Sequence, residues 1–347
     1  MKPAFSPPES LSSRWLRRAV TIPGYLLISA LSIALLPILL PLTVVTDLVL
    51  RNRLALTRTL ALLSWYFAME SAGLFGAALL WGLRPFLGAG FARANFRLQC
   101  LWARALFGGA RWLFGMRVEA AGLESLRPGP VLVMMRHASV ADTLLPAVLV
   151  SNRTGLRLRY VMKRELLWDP CLDVVGQRLP NAFVRRGTRD AAQIGMVRAL
   201  AADLDVDEGV LLYPEGTRWT PARRRRVIDR LSRSADPKLL ERAQALQWLL
   251  PPRLGGVLAL LEAAPQADVV FAVHTGFEGV RTLADVWAGA LVGTRVQVRF
   301  ERIPASAIPA EREARIQWIL DHWTRLDAWL DAHVVPSAAS PSPRSAA

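Results

Sequence analysis

From Ala19 to Thr46 the chain carries no charged side chain, a run of 28 positions. About 20 apolar residues in a helix suffice to cross the hydrocarbon of a bilayer. A second apolar run, Thr59 to Leu83, is interrupted only by Glu70. The pattern predicts two hydrophobic helices and an N-terminal membrane anchor over residues 1–83. A cleavable signal peptide fits poorly, because the first run starts late, is long, and is followed by another. Lys2, Arg14, Arg17 and Arg18 favour a cytoplasmic N-terminus, whereas Arg51, Arg53 and Arg58 in the short connection oppose two full crossings. Pro23, Pro37 and Pro41 are expected to bend the first helix. Two arrangements stand: a pair of crossings, or a hairpin that dips into one leaflet and returns. Both place the rest of the chain on the cytoplasmic face, which in a bacterium is that of the inner membrane.

The next segment, FARANFRLQCLWARALFGGARWLFG, has helical periodicity. At 100° per residue, Arg93, Arg97, Arg104 and Arg111 fall on one side and Phe91, Leu98, Trp102, Leu106 and Leu113 on the other. Residues 84–117 are read as an amphipathic interfacial helix, arginines toward headgroups and apolar groups toward acyl chains. An ordinary amphipathic helix packed on the domain has the same pattern. Gly108 and Gly109 weaken it near its end.

From Val118 the texture changes. PVLVMM, LRYVM, NAFVRR, GVLLYPEG, ADVVFAVHTG and TRVQVRFERI read as strands. Helical patterns alternate with them: ADTLLPAVLV with Pro146 in its first turn, RDAAQIGMVRALAADL, GVLALLEAA, and a closing AEREARIQWILDHWTRLDAWLDAHV. The fold class is therefore α/β, a mixed central sheet flanked by helices over residues 118–334, behind the two-helix anchor. Residues 335–347, rich in Pro, Ser and Ala, read as a disordered tail.

Composition narrows the partners. Apolar residues make up 52% of 347 positions and the formal charge is +15. A greasy and anionic partner, a phospholipid membrane, fits both facts. Nucleic acid is the other usual partner of a basic chain, but a binder has no reason to keep His137 and Asp142 together with Glu215 and Arg218, and no nucleic-acid partner is expected. Only three of the 43 basic residues are lysine, so the charge partly reflects a general arginine bias. The run Arg223 to Arg226 reads as a solvated face, with a contact to phosphate or anionic lipid as the alternative. Cys100 and Cys171 have no ligand or disulfide spacing, in keeping with a reducing compartment.

The candidate chemistry starts at RHASVADTLLP, residues 136–146. On one continuous helix His137 and Asp142 would lie about 140° apart. A strand ending at His137, with Asp142 opening a helix, lets the carboxylate reach Nδ1 and leaves Nε2 as a base. No GxSxG elbow is present, and Ser139 is too close in sequence to serve as a nucleophile poised by His137. The base then acts directly on a substrate hydroxyl. LLYPEGTR, residues 211–218, adds Glu215, Gly216, Thr217 and Arg218 after a strand. Gly216 permits close backbone approach, Thr217 a hydroxyl contact, Arg218 a fork for phosphate, and Glu215 can orient that arginine or a substrate hydroxyl. Arg185 and Arg186 end another strand. His274 reads as a lone core histidine.

His137-x4-Asp142, then Phe183-Val-Arg-Arg, then Tyr213-Pro-Glu-Gly-Thr-Arg, behind a hydrophobic anchor, resembles the glycerophospholipid (lysophospholipid) acyltransferase family, which includes 1-acylglycerol-3-phosphate acyltransferases. The likeness runs from about residue 115 to 305. KREL at 163–166, and PPRLGGVLALLEA after a long insert, are similar to the subgroup containing lysocardiolipin acyltransferases. Arg136 stands where the family usually has asparagine, and VVFAVHTG lacks the proline of its fourth motif. The resemblance implies an O-acyltransferase of phospholipid biosynthesis with His137 as general base, oriented by Asp142. The stretch Glu215–Arg218 with Arg185 would hold the acceptor's phosphate. It implies no cofactor and no metal. Acyl-CoA or acyl carrier protein would be the donor, and a lysophospholipid, foremost lysophosphatidic acid, the acceptor. The alternatives are another lipid hydroxyl as acceptor, or a non-catalytic membrane-surface binder.

Overall fold

The computed structural model describes residues 9–185, 191–233 and 237–334; the expected tail and Arg186 lie outside them. Seven strands form one sheet: β1 Arg117–Ala121, β2 Val131–Met135, β3 Arg157–Lys163, β4 Ala182–Val184, β5 Glu208–Leu212, β6 Asp268–Thr275 and β7 Arg295–Ile303. Their order is β1-β7-β6-β2-β5-β3-β4. Strands β2 to β6 run parallel to one another, β7 is antiparallel to β6, and β1 pairs parallel with β7. The α/β reading with a mixed sheet holds. β1 had no counterpart among the strands predicted, because RVEAA is short, half exposed and lies on the sheet edge.

Strand β2 shows how the core is built. All five of its residues are buried, as expected of a central parallel strand covered on both faces. Alternation sends Leu132 and Met134 into one apolar layer, with Val257, Leu260 and Trp323. It sends Val131, Val133 and Met135 into the other, with Phe107, Phe114, Leu149 and Phe277. The eight helices of nine or more residues among the described ones are α1 Leu11–Leu50, α2 Ala55–Gly82, α3 Phe91–Phe114, α4 Ala191–Ala201, α5 Pro221–Leu231, α6 Pro237–Ala245, α7 Leu254–Ala263 and α8 Arg312–His333. ADTLLPAVLV does not form an α-helix. It makes a 3₁₀ turn over Ala141–Leu144 and a π-helical turn over Pro146–Ser151, where Pro146 supplies the opening position that lacks an N–H donor.

By length and composition, α1 and α2 are each able to cross a membrane. Their placement on the domain is unexpected. Arg17 and Arg18, near the start of α1, pair with the buried Asp173 at 3.0 and 3.1 Å. At the start of α2, Thr59 Oγ1 donates to Val286 O at 3.2 Å and Arg58 donates to Leu113 O. Farther along, Cys171 Sγ donates to Glu70 O at 3.3 Å and Arg178 to Ala77 O at 2.9 Å. At 1.5 Å per residue, Ala55 to Ala77 spans roughly 33 Å, so α2 lies along the domain for the thickness of a bilayer core. α1 covers α2, and its other side exposes Leu27, Leu31, Ile38, Leu42, Val45 and Val49.

The apolar side of α3 corrects the expectation for that helix. Leu106 is buried, and Leu98 and Trp102 lie against Gly76 and Gly73 of α2 rather than facing outward. Gly109 is where Trp65 of α2 comes closest, its indole donating to Ala105 O at 2.9 Å; a Cβ at Gly109 would collide with that ring. Arg93, Arg97, Arg104 and Arg111 are exposed, joined by Leu101 and Trp112. The pattern of an amphipathic helix was legible. Whether its apolar face meets lipid or protein depended on α2.

Candidate active site

The carboxyl ends of the five parallel strands open on one edge, where sites of open α/β sheets gather. His137 follows β2, Tyr213 to Arg218 follow β5, Arg185 follows β4, and His274 lies near the end of β6. Leaving β2, the chain turns within four residues, so Asp142 comes back to His137. Asp142 Oδ1 meets His137 Nδ1 at 2.9 Å, and Oδ2 accepts the N–H groups of Ala138 and Ser139, both at 2.7 Å. Asp142 is fully buried. Burial alone would raise its pKa, but His137 and then His274 outweigh it and hold the carboxyl well below the usual range. An ionised Asp142 fixes Nδ1 as the protonated nitrogen of a neutral His137 and leaves Nε2 for substrate. The ring of Tyr213 packs against the imidazole, centroids 4.5 Å apart.

The two signature loops are tied through the backbone. His137 O accepts from Trp219 N at 2.7 Å. His137 N donates to Glu215 Oε1 at 2.9 Å, and Leu250 N to Glu215 Oε2 at 3.0 Å. These bonds give Glu215 a structural role. It is buried, and each of its oxygens accepts from a main-chain donor. Burial pushes its pKa up to about 8 against the pull of those two N–H groups. Glu215 is a staple that sets His137 relative to the loop and to the segment returning from the insert.

Gly216 has a left-handed backbone, φ +63°, and a Cβ there would lie 2.8 Å from Cδ and Nε of Arg253. The room a glycine leaves is thus taken by Arg253, whose N–H also donates to Pro214 O at 2.8 Å. Arg218 is half-buried. Its NH1 donates to Arg281 O at 3.1 Å, and Arg223 donates to Arg218 O at 3.0 Å. Thr217 is next to it, partly exposed. Arg185 is exposed at the same edge, but on the outermost strand, three strand spacings or about 14 Å from β2.

The run Arg223–Arg226 is only partly a solvated face: Arg224 donates to Leu246 O and Gln244 O at 2.7 and 2.8 Å, pinning the insert. Arg136 turns inward, fully buried, and pairs with Glu278 at 2.6 Å. Burial would raise the Glu278 carboxyl, and Arg136 brings it below the ordinary range. Ser139 is buried and its hydroxyl is given to Val280 O, so it is no nucleophile. His274 is not a lone histidine, since its Nε2 stands 3.3 Å from Asp142 Oδ2. A contact across 132 positions left no local sequence signal. Arg253 was visible only within PPRLGG.

The sequence model of the acyltransferase family matches residues 117–263, the stretch that holds His137, Asp142 and the Glu215–Arg218 loop. Residues 117–263 are an acyltransferase domain. A lysophosphatidylinositol acyltransferase of Caenorhabditis elegans is 23% identical over 76% of this chain and 69% of its own. 1-acyl-sn-glycerol-3-phosphate acyltransferases of Limnanthes alba and Pseudomonas aeruginosa are 26% and 28% identical over 41% and 42% of this chain. The chain spans about half the length of those two relatives, 48% and 56%. A crystal structure of the 1-acyl-sn-glycerophosphate acyltransferase from Thermotoga maritima aligns over 77% of this chain and 100% of that one, with 13% identity and a TM-score of 0.41. The matched domain is thus that of an O-acyltransferase.

Proposed function

We propose that this acyltransferase moves a fatty acyl group from acyl-CoA or acyl carrier protein to the free hydroxyl of a lysophospholipid, with lysophosphatidic acid as the preferred acceptor. The observation that carries the reading is the buried His137–Asp142 pair at 2.9 Å, at the edge where Arg218 also stands. His137 Nε2 takes the hydroxyl proton as the oxygen attacks the thioester carbonyl carbon. The tetrahedral intermediate collapses, the C–S bond breaks, and the leaving thiolate takes the proton back from His137. Asp142 stabilises the imidazolium between the two transfers. Arg218 and Thr217 meet the acceptor's phosphate, with Arg185 reaching in from the sheet edge.

The contact of α2 with the domain from Ala55 to Ala77 supports a hairpin seated in one leaflet over two full crossings. α1, with its exposed apolar side, then lies toward the acyl chains, and the domain stays on the cytoplasmic face. A second acceptor class, a lysolipid phosphodiester, is favoured by the C. elegans relative, named for lysophosphatidylinositol. Purified protein in lipid micelles, incubated with acyl-CoA or acyl carrier protein and a lysolipid panel, distinguishes these by mass spectrometry of the products. Phosphatidic acid is the expected main product. Its formation falls by a factor of roughly 10² to 10⁴ in folded His137→Ala; undiminished acyl transfer by that variant removes His137 from the mechanism.

A further inference from the structure

We propose that His274 is a positioning residue of the acyl-transfer reaction: it holds Asp142 from the side away from His137 and lowers the basicity of the His137 imidazole. The inference rests on the reading of His137 as the general base.

An ionised carboxylate offers about four acceptor positions. On Asp142 one is used by His137 Nδ1 and two by the Ala138 and Ser139 N–H groups. His274 Nε2 stands 3.3 Å from Oδ2, whose two lone pairs already serve those N–H groups, as a third and looser neighbour of that oxygen. That contact is longer than the other three and falls outside straight hydrogen-bond geometry. It therefore acts through the N–H dipole and not as a full bond. A bare nitrogen lone pair would repel the carboxylate, so Nε2 carries the proton. Nδ1 is then a buried acceptor without a partner. His274 is fully buried, and an apolar side chain would leave no such orphan. The polar ring at this position makes sense through Asp142.

The surroundings support this assignment. His274 lies in β6 opposite Val298 of β7, and Phe277 meets the ring edge-on at 5.8 Å. The charged groups near it are Asp142 with His137 beyond it, Arg136 at the end of β2, and Glu278 after β6. Arg136 donates to His274 O and pairs with Glu278, so those two charges offset each other. Among the described residues, Asp142 is then the uncompensated charge against the ring. Each donor on Asp142 spreads its negative charge and weakens its hold on a protonated His137. His274 thereby keeps His137 neutral, ready to accept a proton, to lower pH.

The test is the pH dependence of kcat/KM for lysophosphatidic acid in lipid micelles. In folded His274→Phe or His274→Leu, which lack a donor, the acid limb moves to higher pH by roughly half a unit to one unit. Activity then falls severalfold at the acid end and little at the alkaline end. His274→Gln, with an amide N–H, returns the limb toward the wild-type position. A uniform loss across pH, or a limb that stays or moves down, overturns the inference. If neither apolar variant folds, imidazole nitrogen NMR of the wild-type protein decides: a Nδ1–H tautomer at His274 overturns the proposal and Nε2–H supports it. A protein with no acyl transfer, or a fully active His137→Ala, instead removes the reading on which it rests.

Discussion

Asp142→Asn is the change that tests the site most sharply, because its outcome follows from which donors face which oxygen. Oδ2 meets two backbone N–H groups at 2.7 Å, and Oδ1 meets His137 Nδ1 at 2.9 Å. An asparagine has one carbonyl oxygen. Two fixed main-chain donors hold that oxygen at the Oδ2 position, so the new NH₂ points at His137 Nδ1. The ring must accept there, and the tautomer flips: Nε2 now carries the proton and cannot take one. The imidazolium also loses its counter-charge. Losing a general base costs a factor of roughly 10² to 10⁴, or about 3–5 kcal/mol of barrier at 1.36 kcal/mol per decade. The fold is affected less, because both backbone bonds survive and the charge-assisted bond to His137 is replaced by a neutral one, a difference of about 1 kcal/mol. The assay is initial-rate formation of phosphatidic acid in micelles, with thermal unfolding of the same sample. A folded Asp142→Asn protein that keeps a tenth or more of wild-type kcat refutes the tautomer argument. The native Asp142 adds no pH dependence in the working range. Its pKa is depressed on folding, so its stabilisation is present above the unfolded value near 3.9 and is lost only as pH falls below it.

Glu215 has the opposite sign. Its pKa is raised on folding to about 8, so stability declines as pH rises from about 4.3 to about 8; the thermal midpoint is expected to be lower at pH 8.5 than at pH 6, and Glu215→Gln to flatten that difference. Equal slopes in both proteins exclude Glu215 as the titrating group. Arg218→Ala is expected to raise KM for the lysolipid roughly ten- to a hundred-fold and to leave KM for acyl-CoA nearly unchanged; the reverse pattern moves Arg218 to the donor side. Gly216→Ala combines positive φ with contact on Arg253, and is expected to cost about 1–3 kcal/mol and most of the activity; wild-type behaviour would show that the loop relaxes freely. For the anchor, cysteine labelling of Arg51→Cys and Arg14→Cys from the same side of sealed vesicles is expected for the hairpin seated in one leaflet and from opposite sides for two full crossings, and Phe75→Cys in α2, exposed in the isolated chain, is to be reached only by a lipid-soluble reagent; extraction by carbonate contradicts an anchor altogether.

What could be read without the fold rested on short-range patterns. Two charge-poor runs, strand and helix periods, and the five-residue spacing of His137 and Asp142 are local. Their consequences follow from side-chain period and from the reach of a turn after a strand. The family resemblance added the order of motifs. What the tertiary structure decided were matters of long-range contact. Glu215 and Gly216 looked like substrate groups because their neighbours in sequence are Thr217 and Arg218. Only the return of the chain at Leu250 and Arg253, after an insert, shows that one is a staple and the other is covered. The apolar stripe of α3 was legible as a stripe, yet only α2 determines that it is filled by protein. His274 illustrates the same limit: it looked like a core residue because burial is all that a β-strand period reports, and its 3.3 Å approach to Asp142 exists only because β6 pairs with β2. Local propensity and spacing settle which elements form and which groups are available, whereas polar partners and accessible faces depend on which elements become neighbours.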